Sequence, residues 1–355
     1  MGSGSSGGNG VSGEESAAKP RKFNAGWLQE WGIYVAFAAF VIYCLLFGGA
    51  LFHDPTTWRN LFTQNADKGL IALGMTLIII AGGIDLSLGS LLAFVGALGM
   101  LAMNHLAGTG MPPDQAALIG IGGMVALGGI FGAVNGLIVT WGRVTPFIAT
   151  LVGLLVYRSL TLSAAKGGTV TTTPEAGNVL ANLATSGPEL PFFQARNGQP
   201  IEFSYSAILF IVVALILGYI LNYTAFGLHM IAAGSNERAA TYSALPVGRI
   251  RFWTYVIGGL CAGLGSWVAT SRLTSVGANT TGQNYELEAI AAVVIGGTLL
   301  SGGKGRILGT VIGVLFLGLI TNVMLAAEID NFLQGALKGL IILIAVLIQR
   351  SSNRR

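Results

Sequence analysis

The sequence predicts an all-α protein, a polytopic transmembrane bundle of about ten helices with both termini in the cytoplasm. Of its 355 residues, 53% are apolar and 10% are charged, whereas soluble domains carry about a quarter charged residues. The apolar residues fall in nearly charge-free runs of about 18 to 25, the length with which an α-helix crosses a hydrocarbon core of about 30 Å. Such runs recur along the whole chain, which indicates one membrane domain.

The predicted spans follow from the apolar runs and from the polar residues that interrupt them. Residues 1–26 are rich in Gly, Ser and Glu and contain no apolar segment, so we expect a disordered cytoplasmic tail there and not a cleaved signal peptide. The transmembrane domain extends over 27–350, and 351–355 form a second cytoplasmic tail. Within the domain, spans are predicted near 32–52, 69–84, 88–107, 116–141, 147–163, 205–222, 251–270, 287–300, 307–327 and 331–349.

The distribution of Lys and Arg predicts the orientation, because short cytoplasmic loops carry an excess of these residues. With the N-terminus inside, twelve lie on the cytoplasmic side: Lys19, Arg21, Lys22, Arg143, Arg238, Arg249, Arg251, Lys304, Arg306, Arg350, Arg354 and Arg355. Five lie on the opposite side: Arg59, Lys68, Lys166, Arg196 and Arg272. This excess favours both termini in the cytoplasm.

Two loops are long enough to carry a function. The loop at 165–204 is external in this topology and contains a Thr-rich run at 169–173 and four prolines. The loop at 223–250 is polar, moderately basic and cytoplasmic.

Glycines at a spacing of four residues predict close helix packing, since a residue without a side chain lets two helix backbones approach. The two series are Gly128, Gly132, Gly136 and Gly305, Gly309, Gly313. A direct role in lining a pore is the alternative interpretation.

The cysteines and histidines do not suggest disulfide or metal chemistry. Cys44 and Cys261 both lie within apolar runs, so no disulfide framework is expected. His53, His105 and His229 are far apart and lack the spacing of metal ligands. We therefore expect no metal site and no cofactor.

The short connection between the second and third spans is the first candidate site. Gly82 and Gly83 permit a sharp turn, and Asp85 or Ser87 can accept hydrogen bonds from the first free amides of the next helix. One interpretation is a helix cap at the cytoplasmic edge. The other is a part in a gate or in a substrate path, because a carboxylate at membrane depth is costly unless it is capped or hydrated.

Four ordered blocks of sequence carry a resemblance to a known family. They are Ala81–Ser90; Gly132–Val139 with Val144–Leu151; Gly234–Ala240; and Glu286–Thr298 with Gly302–Gly305. In these blocks the chain resembles the permeases of the ribose, xylose, arabinose and galactofuranose class of ABC importers. The resemblance implies a multi-pass protein of the bacterial cytoplasmic (inner) membrane that carries a monosaccharide.

The resemblance also implies partners. These are two cytoplasmic ATPase subunits, an external sugar-binding protein, a second permease subunit that is either identical or related, and membrane lipid; no nucleic acid is expected. The chain itself has no nucleotide site, because the segment Gly297–Gly305 lacks the spacing of a phosphate-binding loop and has Gly305 where a hydroxyl residue is needed. We therefore predict a transport subunit and not an enzyme, with ATP hydrolysis on a partner chain.

Residues that line a sugar path are expected to be polar or aromatic and to face inward. The candidates in or beside the spans are Asn135, Thr145, Phe147, Thr150, Arg158 and Asn322. Each has an ordinary alternative: Asn and Thr commonly bond across helices in a membrane, Phe147 can face lipid, and Arg158 can extend its head group towards water.

The segment 235–245 is predicted to be a short helix, and its position in the family pattern implies coupling to the ATPase. Its first residues can cap a helix, its acid suits the positive helix end, and its alanines favour helix and allow close approach to a groove, while a proline ends it. The residues concerned are Ser235, Asn236, Glu237, Arg238, Ala239, Ala240, Leu245 and Pro246. An ordinary surface turn is the alternative.

Two other classes of function remain to be weighed. An ion-coupled secondary transporter usually needs titratable groups near the middle of the membrane, and the interiors of the predicted spans offer only Arg158 and Lys338 besides Asp85. An intramembrane enzyme needs a nucleophile with a base or a cluster of metal ligands, and no span has either pattern. The sequence does not indicate which sugar is carried.

Overall fold

The computed structural model describes residues 25–194, 198, 200–330, 333–341 and 343. The predicted tail up to residue 24, the tail at 351–355 and part of the predicted span 331–349 lie outside these residues.

The described chain is a bundle of α-helices. The helices are α1 (Ala25–Phe47), α2 (Gly49–His53), α3 (Pro55–Ile80), α4 (Leu88–Gly108), α5 (Pro113–Thr140), α6 (Pro146–Ala164), α7 (Pro174–Thr185), α8 (Tyr205–Tyr223), α9 (Ala225–Ser235), α10 (Glu237–Tyr242), α11 (Val247–Leu273), α12 (Tyr285–Ile295) and α13 (Ile307–Ala326). Within the described ranges, six of them (α4, α5, α6, α8, α11 and α13) are long and apolar enough to cross a membrane. The predicted class, a polytopic helix bundle, is confirmed.

Three helices differ from the predicted spans. The predicted span 32–52 is divided at Gly48, and the next residue has a φ of 69°. Helix α3 begins at Pro55 and not near residue 69, because the Asp54 side chain caps it by accepting a hydrogen bond from the Thr56 amide. Helix α12 ends at Ile295, where two glycines and a polar segment follow; its 11 residues span about 16 Å, roughly half of a hydrocarbon core.

Strands that the sequence analysis did not predict lie in the loop at 165–204 and after α11. The described ranges contain four: β1 (Thr169–Thr171), β2 (Glu189–Gln194), β3 (Pro200–Glu202) and β4 (Ser275–Gly277). β1 pairs antiparallel with β4, with Val170 opposite Val276, and β2 pairs antiparallel with β3. The β1–β4 pair joins residues about a hundred positions apart, so a local sequence pattern carries little information about it.

The centre of the bundle is built from α3, α5 and α11. The last turns of α3, from Gly69 to Ile80, are fully buried. A Cβ atom on Gly132 of α5 would lie 2.9 Å from the Gly259 Cα of α11 and would clash with the Tyr255 carbonyl oxygen. A Cβ on Gly313 of α13 would clash with backbone of α12. The packing interpretation of the glycine series is therefore confirmed at these contacts.

Candidate functional site

The turn between α3 and α4 lies at the centre of a buried polar network. The amides of Gly82 and Gly83 bond back to the carbonyls of Ile79 and Ile78, both at 2.9 Å, which ends α3. Gly82 has a φ of 81°, a conformation that favours glycine. A Cβ on Gly83 would lie 2.8 Å from the Tyr255 hydroxyl, so a side chain at this position would have to displace Tyr255.

Asp85 stabilises the turn and does not bond to the first amides within α4. Its Oδ1 accepts hydrogen bonds from the Ser87 amide at 2.8 Å and from the Ser87 hydroxyl at 2.6 Å. Ser87 is the residue before α4, and its side chain makes no capping bond. Asp85 is fully buried, and its Oδ2 has no hydrogen-bond partner among the described residues.

The network continues from Ser87 into two other helices. The Asn135 amide of α5 donates to the Ser87 hydroxyl at 2.8 Å, and the Tyr157 hydroxyl of α6 donates to the Asn135 carbonyl oxygen at 3.0 Å. Thr150 of α6 donates to the Pro146 carbonyl at 2.9 Å and makes a longer contact, 3.4 Å, with the carbonyl of Ile84. A hydrogen-bonded chain therefore runs from the turn through α5 to α6.

Helix α11 holds the turn from the other side. The Arg251 Nε donates to the Ala81 carbonyl at 3.1 Å, and one helical turn later the Tyr255 hydroxyl donates to the Ile84 carbonyl at 3.2 Å. Both ends of the turn are thus bonded to side chains on a single helix face.

The segment before α11 forms the short helix α10. Asn236 is its N-cap, with the side-chain oxygen accepting from the Ala239 amide at 3.0 Å. Ser235, the other predicted cap, is instead the last residue of α9. Glu237 makes a two-pronged ion pair with Arg251, at 2.9 and 2.8 Å.

The exposed face of α10 differs from the predicted one. Ala240 is buried against the rest of the chain, so it is not available to approach a groove of a partner, while Ala239 is exposed. Arg238 and Pro246 are also exposed, and Leu245 is half-buried. The largest exposed side chain is Tyr242, at 90% of its surface, which the sequence analysis did not single out.

A third segment contacts the turn from the connection between α12 and α13. The Gly303 amide donates to the Ile80 carbonyl at 2.9 Å. Gly303 has a φ of 75°, and a Cβ there would clash with Ser235. The turn, the start of α10 and this connection therefore pack together at one end of the bundle.

The remaining predicted path residues do not join this network. Arg158 donates from Nη1 to the carbonyls of Ala278 and Thr281, at 3.0 and 2.9 Å, in the connection after β4. Thr145 is exposed, Phe147 is 56% exposed, and Asn322 is half-buried on α13. Of the six candidates, only Asn135 and Thr150 lie beside the turn.

Helix α3 begins well before residue 69 and therefore brings Asp67 and Lys68 into the bundle, where both form ion pairs. Asp67 is fully buried and accepts from Arg272 at 3.0 Å and from the Tyr285 hydroxyl at 3.2 Å. Glu288 pairs with both Lys68 and Lys338. Each of these five charged groups therefore has an oppositely charged partner.

Sequence reasoning missed three members of the network: Arg251, Tyr255 and Tyr157. The first two had a usable signal, an Arg and a Tyr four residues apart at the start of a span, whereas Tyr157 had none. In the part of the chain that the structure describes, no three His, Cys, Asp or Glu side chains converge as metal ligands, and Cys44 and Cys261 are buried free thiols.

The chain is similar to known transport proteins over nearly its whole length. Residues 58–346 match the model of a family described as branched-chain amino acid transport system / permease component. The chain is 38% identical to the ribose import permease protein RbsC of Bacillus subtilis, over 92% of this chain and 95% of the relative. It is 32% identical to the D-allose transport system permease protein AlsC of Escherichia coli, over 96% and 97% of the two chains. It is 30% identical to the xylose transport system permease protein XylH of Haemophilus influenzae, over 92% and 98%.

Proposed function

The chain belongs to the family of branched-chain-type transport system permease components, and from that premise we propose that it forms the membrane path for a monosaccharide. It is the permease subunit of an ABC importer, as the four sequence blocks predicted, and not an enzyme. The observation that carries the choice of cargo is full-length similarity to permeases named for ribose, allose and xylose. Importers of this kind imply a separate ATPase and an external binding protein. The carried sugar is a pentose or a hexose of similar size.

The orientation and assembly are part of this proposal. Both termini face the cytoplasm, the protein lies in the bacterial cytoplasmic membrane, and a second permease subunit completes the path. Contacts within the structure support the grouping of these segments on two sides, and the Lys and Arg distribution supports the assignment of one side to the cytoplasm. The α3–α4 turn, α10 and the segment around Gly303, which the Lys and Arg distribution assigns to one side, contact one another. β1 and β4, which it assigns to the opposite side, also pair.

Helix α10 is the surface on which the ATPase docks. It has six residues, too few for a helix that is stable by itself, and the ion pair between Glu237 and Arg251 holds it against α11. Its outward residues include the almost fully exposed Tyr242. Tyrosine is enriched among the residues that contribute most to protein interfaces.

Transport in reconstituted vesicles tests the proposed cargo and the energy source. The chain, its ATPase and its binding protein are placed in proteoliposomes and supplied with radiolabelled D-ribose, D-allose or D-xylose. We expect uptake of at least one sugar that requires ATP and all three components, and we expect no ATP hydrolysis by the chain alone. Uptake by the chain alone, driven by a sodium or proton gradient, would instead establish the ion-coupled alternative.

Co-purification of the ATPase tests the docking surface. Tyr242→Ala and Ala239→Trp both change the exposed face of α10, whereas Tyr223→Ala alters a comparably exposed tyrosine, 77%, at the end of α8. We expect both α10 variants to weaken ATPase association by about tenfold or more. A tenfold loss corresponds to about 1.4 kcal/mol of binding free energy, which is in the range for substitutions at important interface residues. The Tyr223 variant serves as the control. Normal association of both α10 variants would place the docking surface elsewhere.

A further inference from the structure

We propose that Arg251 is a positioning residue that transmits displacement of α10 to the turn between α3 and α4. The inference rests on the proposed docking of the ATPase on α10. It goes further by naming the side chain through which that docking changes the membrane part of the protein.

Arg251 bonds to both structures with one rigid group. Its Nη1 and Nη2 donate to the two carboxylate oxygens of Glu237, at 2.9 and 2.8 Å, and its Nε donates to the Ala81 carbonyl at 3.1 Å. The guanidinium is planar and its N–H groups form a fixed fork. Since Nε and the two Nη atoms cannot move independently, a displacement of Glu237 is transmitted to the bond with Ala81.

The hydrogen bond to Ala81 is important because Ala81 lies at the start of the turn between α3 and α4. Ala81 follows the last residue of α3, and Gly82, with its φ of 81°, follows directly. The other end of the turn is bonded to Tyr255, one helical turn after Arg251. Beyond the turn, the chain from Asp85 through Ser87 continues to α5 and α6. A shift of Arg251 therefore acts on the element that joins α3 to α4.

An ordinary surface ion pair is the competing explanation, and exposed pairs contribute little to stability. Two observations separate this pair from that class. Arg251 has only 19% of its side chain exposed, although Glu237 has 57%. In addition, Arg251 also bonds the backbone at the end of another helix, 170 positions away in the chain. The second contact has no role in a pair that only secures α10.

The test measures sugar transported per ATP hydrolysed by the complete importer in proteoliposomes. The variants are Arg251→Gln, Glu237→Gln and the exchanged pair Glu237→Arg with Arg251→Glu. The exchanged pair restores opposite charges but has no donor for the Ala81 carbonyl. Arg249→Gln is the matched control, because Arg249 lies on the same turn of α11 and is exposed. The sugar is whichever of D-ribose, D-allose and D-xylose the unmodified importer carries.

In importer complexes isolated with their ATPase bound, we expect the sugar transported per ATP to fall at least about fivefold in all three test variants, the lower range for coupling between two sites. The control stays within about twofold of the unmodified protein. Recovery of normal coupling by the exchanged pair would show that only the ion pair matters and would overturn the role of the Ala81 bond.

Two further measurements keep the inference testable. If Arg251→Gln does not assemble, Arg251→Lys is measured instead, because it keeps the positive charge but lacks the planar guanidinium donors. An unchanged ratio of sugar transported to ATP hydrolysed in Arg251→Lys would refute the proposal. If instead the docking proposal is wrong, the Tyr242→Ala and Ala239→Trp variants will associate with the ATPase normally. Impaired association in those two variants together with normal coupling in the Arg251 variants would overturn the present inference alone.

Discussion

Substitution of Gly132 by alanine tests the close contact between α5 and α11. A Cβ at this position would clash with the Tyr255 carbonyl oxygen and would lie 2.9 Å from the Gly259 Cα and 3.1 Å from the Gly259 nitrogen. All three obstacles are backbone atoms of α11, so no side chain can rotate away. Helix α5 must therefore move away from α11.

Gly122→Ala provides a matched control on the same helix, because a Cβ there would meet no atom within 4 Å. The gain in helix propensity, about 1 kcal/mol for alanine over glycine, is common to both variants. The difference between them therefore isolates the cost of overpacking, which is usually about 1–3 kcal/mol. Since backbone atoms cannot yield, we expect a difference of about 2–3 kcal/mol.

The assay is an SDS titration of the purified protein followed by tryptophan fluorescence, with the free energy of unfolding extrapolated to zero SDS. We expect Gly132→Ala to unfold at a clearly lower SDS fraction than Gly122→Ala. Equal unfolding free energies for the two variants would refute the close approach of α5 and α11.

Two further predictions concern the turn and the orientation. Asp85→Leu removes the acceptor of two hydrogen bonds from Ser87 and should abolish most transport, whereas Asp85→Asn keeps one oxygen and should be milder; full transport by both would mean that the turn tolerates loss of the carboxylate. Single cysteines at the exposed positions Ser235 and Glu175 should react with impermeant reagents from the cytoplasmic and external sides respectively, against a low background because Cys44 and Cys261 are buried. Labelling of both positions from one side would contradict the predicted topology.

Much of the helical architecture could be predicted from sequence because the signal is local. An apolar run defines a span without knowledge of its neighbours, and the predicted start of α13 at Ile307 agrees with the structure. The start of α3 was predicted too late, because Asp67 and Lys68 read as a polar boundary when viewed alone. In the fold their charges are compensated by Arg272 and Glu288, which are more than 200 positions away.

In the candidate site, too, features set by neighbouring residues could be predicted and features set by distant residues could not. The glycines and Asp85 of the turn could be identified from local chemistry. The inward orientation of Ala240 could not, since it depends on how α10 rests on α9 and α11. The links made by Arg251 and Tyr157 could not be predicted either, because their partners are defined only when separate helices meet.

Helix α11 links the turn between α3 and α4, near its first residues, to the β1–β4 strand pair that follows its last residue. Its 27 residues extend about 40 Å, from the neighbourhood of α10 to the strand β4 that pairs with β1. Its middle contains Gly258, Gly259 and Gly263, and glycine has a lower helix propensity than any residue except proline. The packing of α11 against α3 and α5 therefore stabilises the helical conformation of this glycine-rich part. Weaker packing of α3 or α5 should therefore weaken the structural link between the two ends of α11 even when every residue of α11 is unchanged.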